Sequence, residues 1–239
     1  MKNRLRRLAF PSHGKTIFLP GILLVCTAIA MALIPAMPKN ALSATVEDVV
    51  EQVQKSYEKV SDFKATFVQE MTLKTLKKTE REEGVVYFKN PKRMFWHYTK
   101  PKEKKLILNP REAWLYMPDD HIVYWQSTDQ MFRSGIILKF LTGMGKIGDD
   151  FQVDFSQPDS LDKTGNYLLT LTPKENDIGV KQLHVTIEKE TYQIIMCRFA
   201  DDYGNVTKIT FENMEFNKKI PDHFFNFKPP DGVEIFRAS

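Results

Sequence analysis

Several patterns in this chain could support covalent or cofactor chemistry, and each is undercut by its surroundings. Gly143-Met-Gly-Lys-Ile-Gly148 matches G-x-G-x-x-G, the loop that lets backbone amides approach a dinucleotide pyrophosphate. That use needs a strand before the loop and a helix after it, whereas here an apolar helical pattern precedes and a strand pattern follows, so the segment reads as a flexible exit loop. His97, His121, His184 and His223 stand far apart, with no H-x-x-x-H pair or cysteine partner to make a zinc site. There is no G-x-S-x-G elbow, and Cys197 has no base near it in sequence. Asp119-Asp120 and Asp201-Asp202 lie in turn sequences, where bonding to the local backbone accounts for them, and the sequon Asn205-Val-Thr207 likewise sits in a turn. No catalytic residue, metal or cofactor is expected.

What the chain offers instead is apolar surface. Phe67, Phe88, Met94, Trp96, Trp114 and Phe140 form an inward-facing set with no polar constellation converging on it. An interior lined this way suits hydrocarbon. A solid core is the alternative that the same pattern allows.

The elements that must position these residues are strands. From 84 to 126 the apolar residues alternate in short runs: Val86, Phe88; Met94, Trp96, Tyr98; Leu106, Leu108; Trp114, Tyr116; Ile122, Tyr124. Each run is bounded by Pro, Asn or Asp, the signature of a meander of half-buried strands. Before it, Thr45-Val-Glu-Asp48 is a capping-box variant, and Val46, Val49, Val50, Val53, Tyr57 and Val60 recur at helical spacing, which predicts an amphipathic helix over 46–59. Phe63, Ala65, Phe67 and Gln69 then open a long strand, and the charged stretch from Lys74 to Glu83 reads as a solvated hairpin tip. Ile136, Ile137, Phe140 and Leu141 predict a short apolar helix between glycines, too short to stand alone and therefore a plug or lid. Strand patterns resume at Phe151 and continue to a closing aromatic strand, Phe224-Phe225-Asn226-Phe227, stopped by Pro229-Pro230. The count is roughly eleven antiparallel strands, more than the barrel of about eight that its own side chains just fill. Such a sheet must flatten, be plugged, or enclose space.

Residues 1–44 stand apart. Lys2, Arg4, Arg6, Arg7 and Lys15 precede an apolar run over 17–34, and Ala41-Leu42-Ser43-Ala44 follows, which predicts a signal peptide cleaved after Ala44 or after Ser43. An uncleaved anchor is the alternative; Pro20-Gly21 and the small residues at the end favour cleavage. Six of the 34 basic residues and none of the 30 acidic ones lie in this leader, so the remaining 195 residues, 45–239, carry 28 against 30 and are slightly acidic. The positive net charge of the whole chain therefore belongs to the leader and gives no reason to expect nucleic acid as a partner. Cys26 would leave with the leader, and Cys197 then has no partner for a disulfide.

Taken in order, several residues resemble the periplasmic outer-membrane lipoprotein carrier family, LolA. They are the first helix followed by Phe63-x-Ala65-x-Phe67-x-Gln69, then Gly84, Pro91-x-x-x-x-Trp96-x-Tyr98-x-x-Pro101, Trp114-x-Tyr116-x-Pro118, Leu171-x-Pro173 and Phe225-x-Phe227-x-Pro229-Pro230-x-Gly232-Val233. The resemblance implies a mainly β fold with α: an incomplete antiparallel β-barrel covered by a helical lid, over a domain of 45–239. It implies a chaperone that holds the acyl chains of lipoproteins while they cross the periplasm. Its partners would be acylated lipoproteins, an inner-membrane lipoprotein-releasing transporter and an outer-membrane receptor, and the carrier itself would be a monomer. Phe67, Phe88, Met94, Trp96 and Trp114 would then meet lipid, together with Ile137, Phe140 and Leu141 of the lid. In the best-known members an Arg before the strand's proline ties the lid shut; here that position is Asn90, whose lid contact would be a neutral hydrogen bond and not a charge-assisted one. Each buried methylene is worth about 0.8 kcal/mol, so moving bare acyl chains through water would cost tens of kcal/mol without a carrier. A lipid- or lipoprotein-sensing regulator of the same fold is the alternative. A hydrolase acting on envelope glycans or lipids would need acid and base side chains converging inside the barrel.

Overall fold

The computed structural model describes residues 44–133, 147–175 and 180–238. The leader, apart from Ala44, lies outside the described residues, as do the apolar helix expected over 136–141 and the turn at 177–179.

Helix α1, Val46–Glu58, begins where its cap predicts: the Asp48 backbone N–H donates to Thr45 Oγ1 at 3.1 Å, and the Thr45 N–H donates to Asp48 Oδ2 at 3.0 Å. Twelve strands follow among the described residues: β1 Asp62–Leu73, β2 Lys78–Lys89, β3 Arg93–Lys100, β4 Lys104–Leu108, β5 Glu112–Met117, β6 Ile122–Ser127, β7 Phe151–Phe155, β8 Tyr167–Pro173, β9 Leu183–Ile187, β10 Ile194–Ala200, β11 Val206–Phe216 and β12 Glu234–Arg237. Among the described residues, two short helices, α2 Thr128–Arg133 and α3 Ile147–Asp150, lie between β6 and β7.

The strands form one open sheet in the order β12-β6-β5-β4-β3-β2-β1-β11-β10-β9-β8-β7. It consists of two meanders of sequential hairpins, β2 to β6 and β7 to β11, joined where β1 pairs with β2 on one side and β11 on the other. The sheet is an incomplete barrel, as expected, with one departure: β12 pairs parallel to β6, and every other pairing is antiparallel.

Cross-strand register defines the faces, because residues directly opposite one another share a side. The inner row runs Ala65, Val86, Trp96, Leu106, Leu115, Tyr124, and the next row includes Phe67, Gly84, Tyr98 and Lys104. Gly84 is required there: a Cβ would come within 2.1 Å of the His97 carbonyl oxygen and 2.9 Å of the Phe67 ring. Over β8 to β10 the inner face is closed by α1, whose Val49 and Val53 join Leu169, Leu171, Leu183, Val185, Ile187 and Cys197 in a buried cluster.

Two local expectations change. The charged stretch read as a hairpin tip is mostly strand: β2 begins at Lys78, and only 74–77 turn. It stays ordered through cross-strand pairs such as Thr72 Oγ1 to Thr79 Oγ1 at 3.0 Å and Arg81 to Glu70 at 3.6 Å. The closing aromatics do not form a strand. Asp222–Phe225 is a 3-10 turn in a strap across the outer face, where Phe225 is fully buried, Phe224 meets Tyr87 at 5.4 Å and Phe227 meets Trp114 at 5.8 Å. Lys89 anchors the strap by donating to the Ile220 carbonyl at 2.7 Å and by pairing with Asp222. The last strand comes after the prolines.

Candidate functional site

The polar candidates are structural. Among the described residues no three His, Cys, Asp or Glu side chains gather to hold a metal. Cys197 is fully buried, and burial pushes its thiol up to about 12, so it keeps its proton. Asp201 accepts from the Asn205 N–H and side-chain amide, both at 2.8 Å, as a turn aspartate does, and Asn205 holds its carboxyl below the usual range. His97 is paired with Glu103 at 2.8 Å, and His184 lies 3.2 Å from Thr170 Oγ1, with its pKa lowered by burial and then by Arg198. Of the glycine loop, only Ile147 and Gly148 lie within the described residues.

The apolar candidates gather. Phe67, Phe88, Met94 and Trp96 are all buried on the inner face, in one cluster. Phe67 sits edge-on to Trp96 at 4.6 Å and to Tyr98 at 4.9 Å, and the Trp96 Nε1–H points at the Met94 sulfur, 2.6 Å away. These four residues are packed against each other. Beside them, over β3 to β6, the inner face opens into a hollow of about 480 Å³. Its walls are Leu106, Ala113, Leu115, Met117 and Tyr124, the inward residues of those strands, and α2 sets Met131 against it. The volume is within the range of small-molecule sites, which run from about 300 to 1,000 Å³.

Trp114 is not brought together with the four. It lies opposite Ile107 and Trp125, on the outer face, and its ring packs on Trp125 at 6.0 Å and on Phe227 of the strap. It is nonetheless among the residues that line the hollow. Asn90 donates from Nδ2 to the Val60 carbonyl at 3.0 Å, and its backbone N–H donates to Ser61 O at 2.9 Å, so it secures the link from α1 to β1. Ile137, Phe140 and Leu141, with which a lid contact was expected, lie outside the described residues. Leu106 and Tyr124 belong to the apolar runs read in the sequence but were not singled out there as site residues, and the β5 residues Ala113, Leu115 and Met117 were missed because they are the alternate positions to the run Trp114, Tyr116.

One edge of the hollow is polar. Lys104 Nζ lies 4.1 Å above the Tyr98 ring and donates to both Glu82 oxygens, at 2.7 and 2.8 Å. Gln69 donates from Nε2 to Glu82 Oε2 at 3.0 Å and accepts the Tyr98 hydroxyl at 3.2 Å, which closes a ring of four side chains. Burial first, and the Glu82 charge second, push the Tyr98 hydroxyl well above its ordinary range. The arrangement can take an apolar tail into the hollow and meet a polar group at its edge. It presents no nucleophile with a base.

Comparison with known proteins agrees with this geometry. The model of a family described as outer membrane lipoprotein carrier protein LolA matches residues 58–228. The chain is similar to an outer-membrane lipoprotein carrier protein of Hahella chejuensis, 27% identical over 180 residues, covering 75% of this chain and 84% of that protein. It is also similar to one of Cupriavidus pinatubonensis, 26% identical over 218 residues, covering 90% and 98%. An uncharacterized conserved protein of Thermus thermophilus, of known crystal structure, shares the fold with a TM-score of 0.52 at 13% identity, covering 80% of this chain and 98% of that one.

Proposed function

The chain belongs to the LolA family of outer membrane lipoprotein carrier proteins, and from that premise we propose that it is a periplasmic chaperone that shelters the acyl chains of lipoproteins on their way from the inner membrane to an outer-membrane acceptor. The observation that carries this reading is the hollow of about 480 Å³ on the inner face, walled by aliphatic and aromatic side chains where an ordinary β protein would be filled. At about 25 cal/mol for each Å² of apolar surface removed from water, hydrocarbon entering it gains several kcal/mol. That gain offsets part of the cost of leaving a membrane and still permits release.

In this reading Leu106, Leu115, Met131 and Tyr98 touch the acyl chain first. Phe67, Phe88, Met94 and Trp96 form the adjoining floor, which repacks to lengthen the cavity for longer chains. Ile137, Phe140 and Leu141 supply an apolar cover, and Asn90 steadies the link from α1 to β1. The protein does no chemistry on its cargo. It receives lipoprotein from a releasing transporter and gives it up to a receptor. The leader over 1–44 directs export and is removed near Ala44.

The test is to express the full chain in a Gram-negative host, recover it from the periplasmic fraction and weigh it by native mass spectrometry. The expected result is an N-terminus at Ala44 or Thr45 and a population carrying acylated lipoprotein. That population should vanish in Leu115→Trp, which fills the hollow. Bare protein alone, with no uptake of a hydrophobic dye, would overturn the reading.

A further inference from the structure

The polar edge of the hollow bears on how its occupant is chosen. Among the described residues lining the hollow, Lys104 alone carries a full charge. An ammonium facing an oily cavity is by itself an attractive seat for a phosphate. Here that charge is already cancelled: Glu82 takes the ammonium with both oxygens, at 2.7 and 2.8 Å, and is itself fixed by the Gln69 amide at 3.0 Å. Both side chains are largely withdrawn from water, at 29% and 24% exposed, so salt screens the pair less than it would at the surface. Tyr98 and Lys104 line the hollow, and Glu82 and Gln69 bond to them without being among the described residues that line it. From the described residues, a head group at this edge finds hydrogen-bonding groups and no net charge. The ammonium has three protons, of which the two Glu82 oxygens occupy two; the Tyr98 ring lies 4.1 Å from the nitrogen, so a neutral carbonyl oxygen would share the third with the ring. An anionic phosphate would gain no uncompensated cation and would meet the Glu82 carboxylate as a like charge.

We propose that Glu82, by cancelling the charge of Lys104, keeps the hollow selective for acyl lipids with uncharged ester or amide heads over phospholipids. The inference rests on the carrier reading and adds to it a reason why a lipid carrier in a phospholipid-rich envelope is not filled by the bulk lipid. Lys104 and Glu82 act here as specificity-determining residues. Nothing in the proposal requires that they react.

The experiment measures uptake by the exported protein of pyrene-labelled diacylglycerol and pyrene-labelled phosphatidylglycerol of matched chain length, each presented in phosphatidylcholine vesicles. The wild type is expected to prefer diacylglycerol by about tenfold or more. Glu82→Gln keeps the shape and the Gln69 contact but uncovers the ammonium. It should gain phosphatidylglycerol affinity about tenfold with diacylglycerol uptake unchanged within about twofold. The double change Glu82→Gln with Lys104→Gln removes both charges and should restore the preference. Lys104→Gln alone, which leaves Glu82 uncompensated, should weaken phosphatidylglycerol further, and it supplies the reading if Glu82→Gln does not fold. A wild type that takes both lipids equally, or single variants Glu82→Gln and Lys104→Gln that both leave the ratio unmoved, overturns the selectivity while the carrier reading stands. Uptake of neither lipid by the wild type overturns the carrier reading and this inference with it.

Discussion

The two meanders of the sheet share one alternation pattern and meet opposite fates. On the β7 to β10 side the inward residues are covered by α1, and Leu171, Leu183, Ile187 and Cys197 are sealed beneath Val49 and Val53. On the β3 to β6 side the equivalent positions, Leu106, Leu115 and Tyr124, keep part of their surface, and space is left above them. Among the described residues the difference lies in what is laid on the sheet, since the strands of both halves pair antiparallel with their sequence neighbours. Where α1 lies on the sheet the curved apolar face is a core; over β3 to β6 the described residues leave part of the same face open as a receptacle.

The comparison can be broken most forcefully by placing a charge in each half. Val53→Asp puts an unpaired carboxylate under α1 and should cost about 3–5 kcal/mol in urea unfolding. Leu115→Asp, beside the hollow, should cost only about 1 kcal/mol while abolishing uptake of hydrophobic dye. Truncation gives the next contrast: Leu171→Ala should destabilise by about 2–5 kcal/mol, and Leu106→Ala, which enlarges a space already present, by about 1 kcal/mol. Filling reverses the functional sign. Leu171→Trp overpacks a closed core and should lose about 1–3 kcal/mol, whereas Leu115→Trp should leave the unfolding midpoint nearly unchanged and remove lipid binding. Asn90→Ala, which frees the Val60 carbonyl at the link from α1, should cost about 1 kcal/mol without changing uptake.

The smallest effect is confined to alkaline pH. Burial raises the Cys197 thiol from 9.0 to about 12, so folding favours the protonated form. Its contribution is complete below the unfolded value and is lost as pH rises from about 9 toward 12. Native protein at pH 8 should therefore resist alkylation by iodoacetamide, and urea-unfolded protein should react. Ready alkylation of the native thiol would mean that the α1-covered half is less closed than its packing indicates.

The closed half was the more legible in sequence. Thr45 and Asp48 mark the start of α1, and the spacing of Val49 and Val53 announces a buried stripe, because a helix carries its face in local periodicity. The hollow half was legible as strands but not as faces. In β5 both alternating sets are apolar, Ala113, Leu115 and Met117 on one side and Trp114 and Tyr116 on the other, because the C-terminal strap covers the outer face with Phe227. Only the register Leu106 to Leu115 and Ile107 to Trp114 says which set points inward, and register is a nonlocal fact. The strand Glu234–Arg237 escaped for a related reason: it is four residues long, exposed throughout, and made a strand by its partner β6. The charged start of β2 lacked an apolar signal because the ribbon there projects into water on both sides. The four-residue polar ring was equally invisible, since Gln69, Glu82, Tyr98 and Lys104 come from four strands.

The seam at β1 carries a kinetic consequence. Each meander can assemble hairpin by hairpin from neighbouring residues, but the union of Phe63 with Phe216 and of Phe67 with Phe211 must wait until the ends of a long loop find each other. Formation of the single sheet thus depends on a pairing of wide sequence separation, the kind that is slowest to form. Until it happens, two rows of unpaired backbone on β1 and β11 remain open to strangers, so the molecule is exposed to aggregation until that seam closes.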